Sequence, residues 1–296
     1  MKKSLSVLFM ACVILALLSG CKKNTPPPPP AEYTPIFTLE DMPVIDGSTA
    51  TVPLAELAIQ RTTGCTEEQA RETVEFTKTD NAYYRLYNGE CDILLVYEGY
   101  TDPDGPDMSD AFEVHSIGKD ALVFLTNQSN AVDGLTTQQI RDIYSGAVTN
   151  WSEIGGDETP IEAYQRQPQS GSGVMMEKLV MQGLPMVEAP SDYIIGEMEG
   201  LVSIIGNYQN KGGAIGYSVF YYVTEMYLNS GIKLLSIDEA TPSKETIADD
   251  SYPFINDFYA IVRKDAPPDS PARKMLEWIQ SPPGRQTIID AGYVPK

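Results

Sequence analysis

From Tyr33 onward, short apolar runs alternate with stretches in which apolar residues recur every three or four positions, the grammar of a layered α/β body. The runs predict strands over residues 91–97, 121–126, 161–165, 214–219, 233–237 and 258–263. The helical stretches open at recognisable caps. Thr66-Glu67-Glu68-Gln69 and Thr136-Thr137-Gln138-Gln139 each set a hydroxyl three residues ahead of a glutamine, so the two side chains can satisfy free backbone N–H groups reciprocally. Later helices are expected over residues 270–280, with Pro271 in the first turn, and over 283–290. No internal repeat is visible, and the only low-complexity stretch is the proline run at 26–30.

The first twenty residues follow another pattern. Lys2 and Lys3 precede an apolar run over 5–18 and then small residues, the layout of an export signal rather than of a membrane span. Leu17-Leu18-Ser19-Gly20-Cys21 resembles the bacterial lipoprotein box, in which the cysteine is acylated and becomes the new N-terminus; an ordinary secretory signal ending near a cysteine is the alternative. Residues 1–20 are therefore expected to be a signal peptide and 21–34 a stiff proline-rich tether. The folded part would then be extracytoplasmic and held at the lipid bilayer through Cys21, each buried methylene contributing ~0.8 kcal/mol.

Charge narrows the partners. The chain has 296 residues, with Lys+Arg 21 against Asp+Glu 41 and a net charge of -20, which becomes -22 once Lys2 and Lys3 leave with the signal. Such a body is a poor partner for a nucleic-acid backbone. His115 is the single histidine, so histidine-based triads and two-histidine zinc sites have little to build on, and an ordinary surface or hinge role suits it better. Cys65 and Cys91 would remain in an exported chain and could pair, although nothing in the sequence brings them together. Met175, Met176 and Met181 read as core filling rather than as a copper site.

Three loops carry unusual chemistry. Asp46-Gly47-Ser48-Thr49-Ala50-Thr51 precedes a helical pattern over 54–60 and offers hydroxyls and free amides to an oxyanion, or else a plain helix cap. Arg166-Gln167-Pro168-Gln169-Ser170-Gly171-Ser172-Gly173 follows a strand and opens a helix, where an arginine fork, two hydroxyls and glycine-freed amides favour an anion over a merely flexible turn. A nucleophile elbow and a phosphate loop of the Walker type both fail on spacing. In the third, Thr79 caps a short helix ending at Gly89, after which an apolar strand delivers Tyr97 and Glu98 to its C-terminal end, where open α/β sheets place ligands.

Together with Ile117-Gly118-Lys119-Asp120-Ala121, the block Thr149-Asn150-Trp151-Ser152-Glu153-Ile154-Gly155-Gly156 and Gly213-Ala214-Ile215-Gly216-Tyr217, these loops resemble the phosphate-binding proteins of bacterial phosphate ABC importers, in the type 2 periplasmic-binding-protein-like superfamily. The resemblance spans most of the folded chain. It implies an α/β, two-lobed fold with the ligand cleft between lobes. Residues 35–118 and 252–296 would form lobe 1 and 119–251 lobe 2, with crossings near 118–121 and 251–257. It carries over Ser48, Thr49, Ala50, Thr79, Arg166, Ser170, Gly171 and Ser172 as phosphate-binding positions, with Ser172 where the family usually has threonine. It also implies a carboxylate after the 91–97 strand, accepting a hydrogen bond from protonated phosphate and repelling sulfate. Glu98 is the candidate and Tyr97 the competing position.

The function so implied is a monomeric, lipid-anchored solute-binding protein that captures inorganic phosphate for ABC permease subunits, without cofactor, metal or catalysis. A sensor, or a binder of a different oxyanion or small anion on the same fold, is the alternative. Phosphoester hydrolysis lacks an evident metal cluster, second base or histidine in these motifs.

Overall fold

The computed structural model describes residues 33–100, 104–108, 110–207, 212–227 and 231–296. The expected signal peptide, Cys21 and all of the tether before Tyr33 lie outside the described residues.

The chain opens with β1 (Ile45–Gly47), α1 (Val52–Thr63), α2 (Glu67–Thr73), α3 (Thr79–Asn88) and β2 (Ile93–Val96), then the long strand β3 (Phe112–Asn127). Next come β4 (Gly134–Leu135), α4 (Thr137–Tyr144), β5 (Glu162–Ala163), β6 (Gln165–Arg166) and α5 (Gly171–Met175), which runs on as a wider helical turn over Met176–Met181. The remainder is β7 (Ile194–Ile195), α6 (Met198–Gly206), β8 (Ala214–Val219), β9 (Ile232–Leu234), β10 (Ser236–Ile237), α7 (Lys244–Ala248), β11 (Ile255–Arg263), α8 (Pro271–Gln280), α9 (Pro282–Asp290) and β12 (Val294–Pro295). The main sheet has the order β1-β2-β11-β3-β8-β5, with β9 and β12 also against β3.

Strand β3 organises the sheet. Its first part, from Phe112 to Ala121, lies antiparallel to β11, and its second part, from Leu122 to Thr126, lies antiparallel to β8. The change of partner falls at Asp120 and Ala121, opposite Asn256 and Ile255. The predicted strand began only at 121, because the earlier half of β3 mixes Glu113, His115, Ser116 and Lys119 among apolar residues and lacks a clean apolar run. Its pairing comes from β11, more than a hundred residues away in sequence.

Both capping boxes form, at Thr66 and at Thr136, and Ser270 caps α8 as its spacing predicts. Strand β2 is buried on both faces. Ile93 and Leu95 join the main core beneath α1, whereas Leu94 and Val96 pack with Tyr83 and Leu86 of α3 in a second cluster, which explains an apolar run without polar alternation. Met175, Met176 and Met181 are buried in the main core, as read. Cys65 and Cys91 are both free thiols, so the disulfide alternative is not realised; burial pushes the Cys91 thiol up to about 12. His115 sits on β3 beside Glu113 and Gln280.

Gly47 ends β1 against β2 with no room for a side chain: an ideal Cβ there would lie 1.9 Å from the Leu95 carbonyl oxygen, which accepts the N–H of Ser48 at 2.9 Å. Gly47→Ala should therefore force the backbone of the first loop off the sheet and destabilise the protein by about 2 kcal/mol or more, read from urea unfolding; native-like stability would contradict this close approach.

Candidate functional site

The loop after β1 is pinned before it reaches the site. Asp46, wholly buried, accepts the N–H of Thr77 and its hydroxyl, each at 2.7 Å, and Arg85 Nη1 at 2.5 Å. One carboxylate thus ties the loop over residues 46–51 to the segment that precedes α3. Thr51 turns inward, donating to the carbonyls of Ser48 and Leu95, and Tyr293 donates to the carbonyl of Ala50 at 2.6 Å. Ser48, Thr49 and Ala50 are left facing a cleft.

Lys78 precedes α3 with φ of 73°, a left-handed conformation that non-glycine residues seldom adopt outside turns and functional sites. Thr79 is the first helical residue and not the cap: its hydroxyl meets the Ser48 hydroxyl at 3.0 Å and its side chain lines the cleft. The expected cap geometry is replaced by a pair of hydroxyls that can each turn toward a common guest.

The opposite wall comes from the loop after β6. Ser170 caps α5 by accepting the N–H of Gly173 at 3.2 Å, so its hydroxyl is oriented at the start of the helix. Arg166 is 6% exposed; its backbone N–H goes to the Tyr217 hydroxyl at 3.0 Å and its Nη2 to the Gly196 carbonyl at 2.9 Å. Its Nε and Nη1, and the hydroxyl of Ser172, are buried without a hydrogen-bond partner among the described residues. Burial pulls the guanidinium below its ordinary pKa, with Tyr217, Glu197 and Tyr222 opposing, so the site strains to keep a cation out of water. Gly171 faces the first wall: a Cβ there would make ordinary contact, 3.8 Å from Thr79 Oγ1 and 3.9 Å from Tyr97 Cβ.

One cleft of about 540 Å³ is therefore lined by Ser48, Thr49, Ala50, Thr79, Arg166, Ser170, Gly171 and Ser172, eight of the nine ligand positions read from the sequence. Glu98 is the ninth and the structure does not bring it there. Its carboxylate turns away to Lys178 at 3.3 Å, and burial raises its pKa against the opposing pull of Lys178 and Asn256. Tyr97, the competing position, lines the cleft, and its hydroxyl donates to Asp120 Oδ2 at 2.7 Å. Sequence reasoning gave no ligand role to Gln167 and Gln169, although both stand in the Arg166–Gly173 loop, nor to Lys78, Glu197, Met198, Glu199 or Tyr222; all of them also line the cleft. Among the described residues no group of three His, Cys, Asp or Glu is placed to hold a metal ion, and no helix is long and apolar enough to cross a membrane.

Loops from both halves of the sheet thus line one cleft. The chain belongs to the family described as the PBP superfamily domain, whose model matches residues 41–283. It is 23% identical over 182 residues to the phosphate-binding protein PstS of Bacillus subtilis (strain 168), an alignment covering 61% of this chain and 57% of that relative. The match therefore spans less than two thirds of the relative's length. Among solved structures it is similar to an ABC-type phosphate transport receptor from Vibrio cholerae, with TM-score 0.61 and 21% identity over 84% of this chain and 98% of the other. It is also similar to a putative phosphate ABC transporter substrate-binding protein with bound phosphate from Clostridium perfringens, with TM-score 0.65 and 21% identity over 85% and 98%. At such identities these two likenesses show the fold.

Asp120 lies where β3 changes partner. It accepts hydrogen bonds from Tyr97, Ala121 and Tyr221, yet burial dominates and pushes its carboxyl up to about 7. An unfolded aspartate titrates near 3.9 or thereabouts, about three units lower. Between those values the folded protein keeps a proton that the unfolded chain has released, so this residue's contribution to stability falls as pH rises from about 4 to about 7 and levels off above. Urea unfolding between pH 4 and pH 8 should show the parent protein losing stability relative to Asp120→Asn across that window; parallel profiles would mean that Asp120 titrates normally.

Proposed function

We propose that this protein is an extracytoplasmic solute-binding protein that captures inorganic phosphate and presents it to the membrane permease subunits of an ABC importer, acting as a monomer held at the bilayer through an acylated Cys21. Residues 35–118 and 252–296 form one lobe and 119–251 the other. Thr49, the amide of Ala50, Thr79 and Ser48 hold the ion from the first lobe, and Arg166, Ser170, Gly171 and Ser172 from the second. The reading is of a receptor, not an enzyme.

The observation that carries it is the pair of donors left unsatisfied in the wall of the cleft, Arg166 Nε and Nη1 beside the Ser172 hydroxyl. Buried donors without acceptors are costly, ~1–3 kcal/mol each and more for a charged group, and an oxyanion bridging them removes that cost. The named phosphate-binding relatives supply the choice of phosphate among oxyanions. Because each half of the sheet contributes part of the shell, the ion has more contacts when the walls are together, and binding favours closure. The net charge of -20 does not oppose this. Exposed charges are screened beyond ~8 Å, whereas the guanidinium acts at hydrogen-bond distance.

A second reading, a site for a different oxyanion, is favoured by Tyr97 standing in the cleft where the resemblance calls for a carboxylate. Calorimetry with phosphate and sulfate separates the two. Tight phosphate binding is expected, weakened about a hundredfold or more by Arg166→Ala. Sulfate binding without phosphate binding would replace the first reading with the second, and an Arg166→Ala variant with parental affinity would remove the guanidinium from the site.

A further inference from the structure

The cleft is larger than a bare tetrahedral ion requires. A four-oxygen ion takes about the space of two or three water molecules at ~30 Å³ each. The cleft offers about 540 Å³, within the ~300–1,000 Å³ typical of sites for organic small molecules. Walls standing apart do not account for the surplus. The loop at Gly171 faces Thr79 and Tyr97 at about a side chain's width, since a Cβ added there would stand 3.8 Å from Thr79 Oγ1 and 3.9 Å from Tyr97 Cβ, and Lys78 Nζ meets Glu197 Oε1 at 2.5 Å at the mouth. The space remains with the two walls bridged by Lys78 and Glu197.

That extra space has its own chemistry. Buried Val219 and Tyr222 and the half-buried Met198 give an apolar surface beside the oxyanion groups, while Glu197 and Glu199 outnumber Lys78 at the rim. The Tyr222 phenol lies within electrostatic reach of Glu199 and Glu197 and also of Arg166, so this compartment adjoins the anion pole directly. An arm extending from one phosphate oxygen would cross the Tyr222 ring and reach carboxylates. An amino or hydroxyl group is suited to that end, and a second anionic group is not.

We propose that the cleft accepts small phosphate monoesters, with the phosphate among Arg166, Ser170 and Ser172 and an amino- or hydroxyl-bearing arm over Tyr222 and Met198 toward Glu199. This rests on the oxyanion reading above and names a wider ligand class for the same site. No bond is made or broken.

The test is calorimetric titration of the full chain with inorganic phosphate and, separately, with O-phosphoethanolamine, repeated on Glu199→Gln. The parent protein should bind the ester within about tenfold of phosphate or more tightly, and Glu199→Gln should lower the ratio of ester to phosphate affinity by about tenfold, the worth of one charge-assisted contact. Glu199 is exposed, so the variant is expected to fold, and each titration with phosphate reports that it has. Phosphate binding with the ester excluded would overturn the inference and leave the phosphate reading standing. A ratio unmoved in Glu199→Gln would overturn the placement of the arm. Failure of both ligands to bind would overturn the phosphate reading and the inference with it.

Discussion

A guanidinium withdrawn from water, with no carboxylate partner among the described residues, is the constraint around which the cleft is arranged. Arg166 is held by one carbonyl, that of Gly196, while Tyr217 fixes its backbone, so the side chain is oriented but not neutralised. Removing a charge from water is expensive unless it is paired and hydrogen-bonded. A folded chain tolerates it where the unfilled hydrogen-bonding capacity is met by something that comes and goes. The hydroxyls of Ser172, Ser170, Thr79 and Ser48 line the same cleft: Ser48 and Thr79 are hydrogen-bonded to each other, Ser170 donates to the Gln167 carbonyl, and Ser172 has no partner among the described residues.

The first wall stays in place because of a second buried charge, which is fully matched. Asp46 accepts from Thr77 and Arg85, and through them couples the turn that presents Thr49 to the turn that presents Thr79. The two ionised groups therefore have opposite tasks. Asp46 is satisfied within the chain and makes its loops rigid; Arg166 keeps two donors without a partner among the described residues, in the wall of the cleft. Asp120 does a third thing, since its hydrogen bonds come from Tyr97 on one side of the sheet and from the N–H of Tyr221 on the other, at the point where β3 changes partner. A change at the cleft that moved Tyr97 would be felt at this crossing.

Much of this was legible in the sequence, for reasons that can be named. Capping boxes are local, so Thr66 and Thr136 announced their helices without help from the rest of the chain. The loops carrying Ser48, Thr49, Arg166 and Ser170 were legible because glycine, hydroxyl and arginine concentrate there within a few residues. The first half of β3 was not legible, since its pairing is with β11 and its own composition is mixed. Nor was the outer part of the cleft: Glu197, Met198 and Tyr222 reach it from separate elements and share no motif, so only the fold brings them together.

That Glu98 stands outside the lining of the cleft has a sharper cause, in the period of the strand before it. Alternate residues of β2 face opposite sides of the sheet. Ile93, Leu95 and Tyr97 belong to the main core, whereas Leu94 and Val96 belong to the cluster under α3, and the charge of Glu98 is felt by Tyr83 of that same cluster. Ser48 N–H bonds to Leu95, and Tyr97 N–H reaches the Ser48 hydroxyl at 3.4 Å, so the side of the strand that meets the first loop is the side of Leu95 and Tyr97. A shift of one residue in assigning the acceptor is a shift to the other face. Chemical type pointed to the glutamate; the side of the strand that meets the first loop carries Tyr97, which lines the cleft while its hydroxyl is engaged by Asp120.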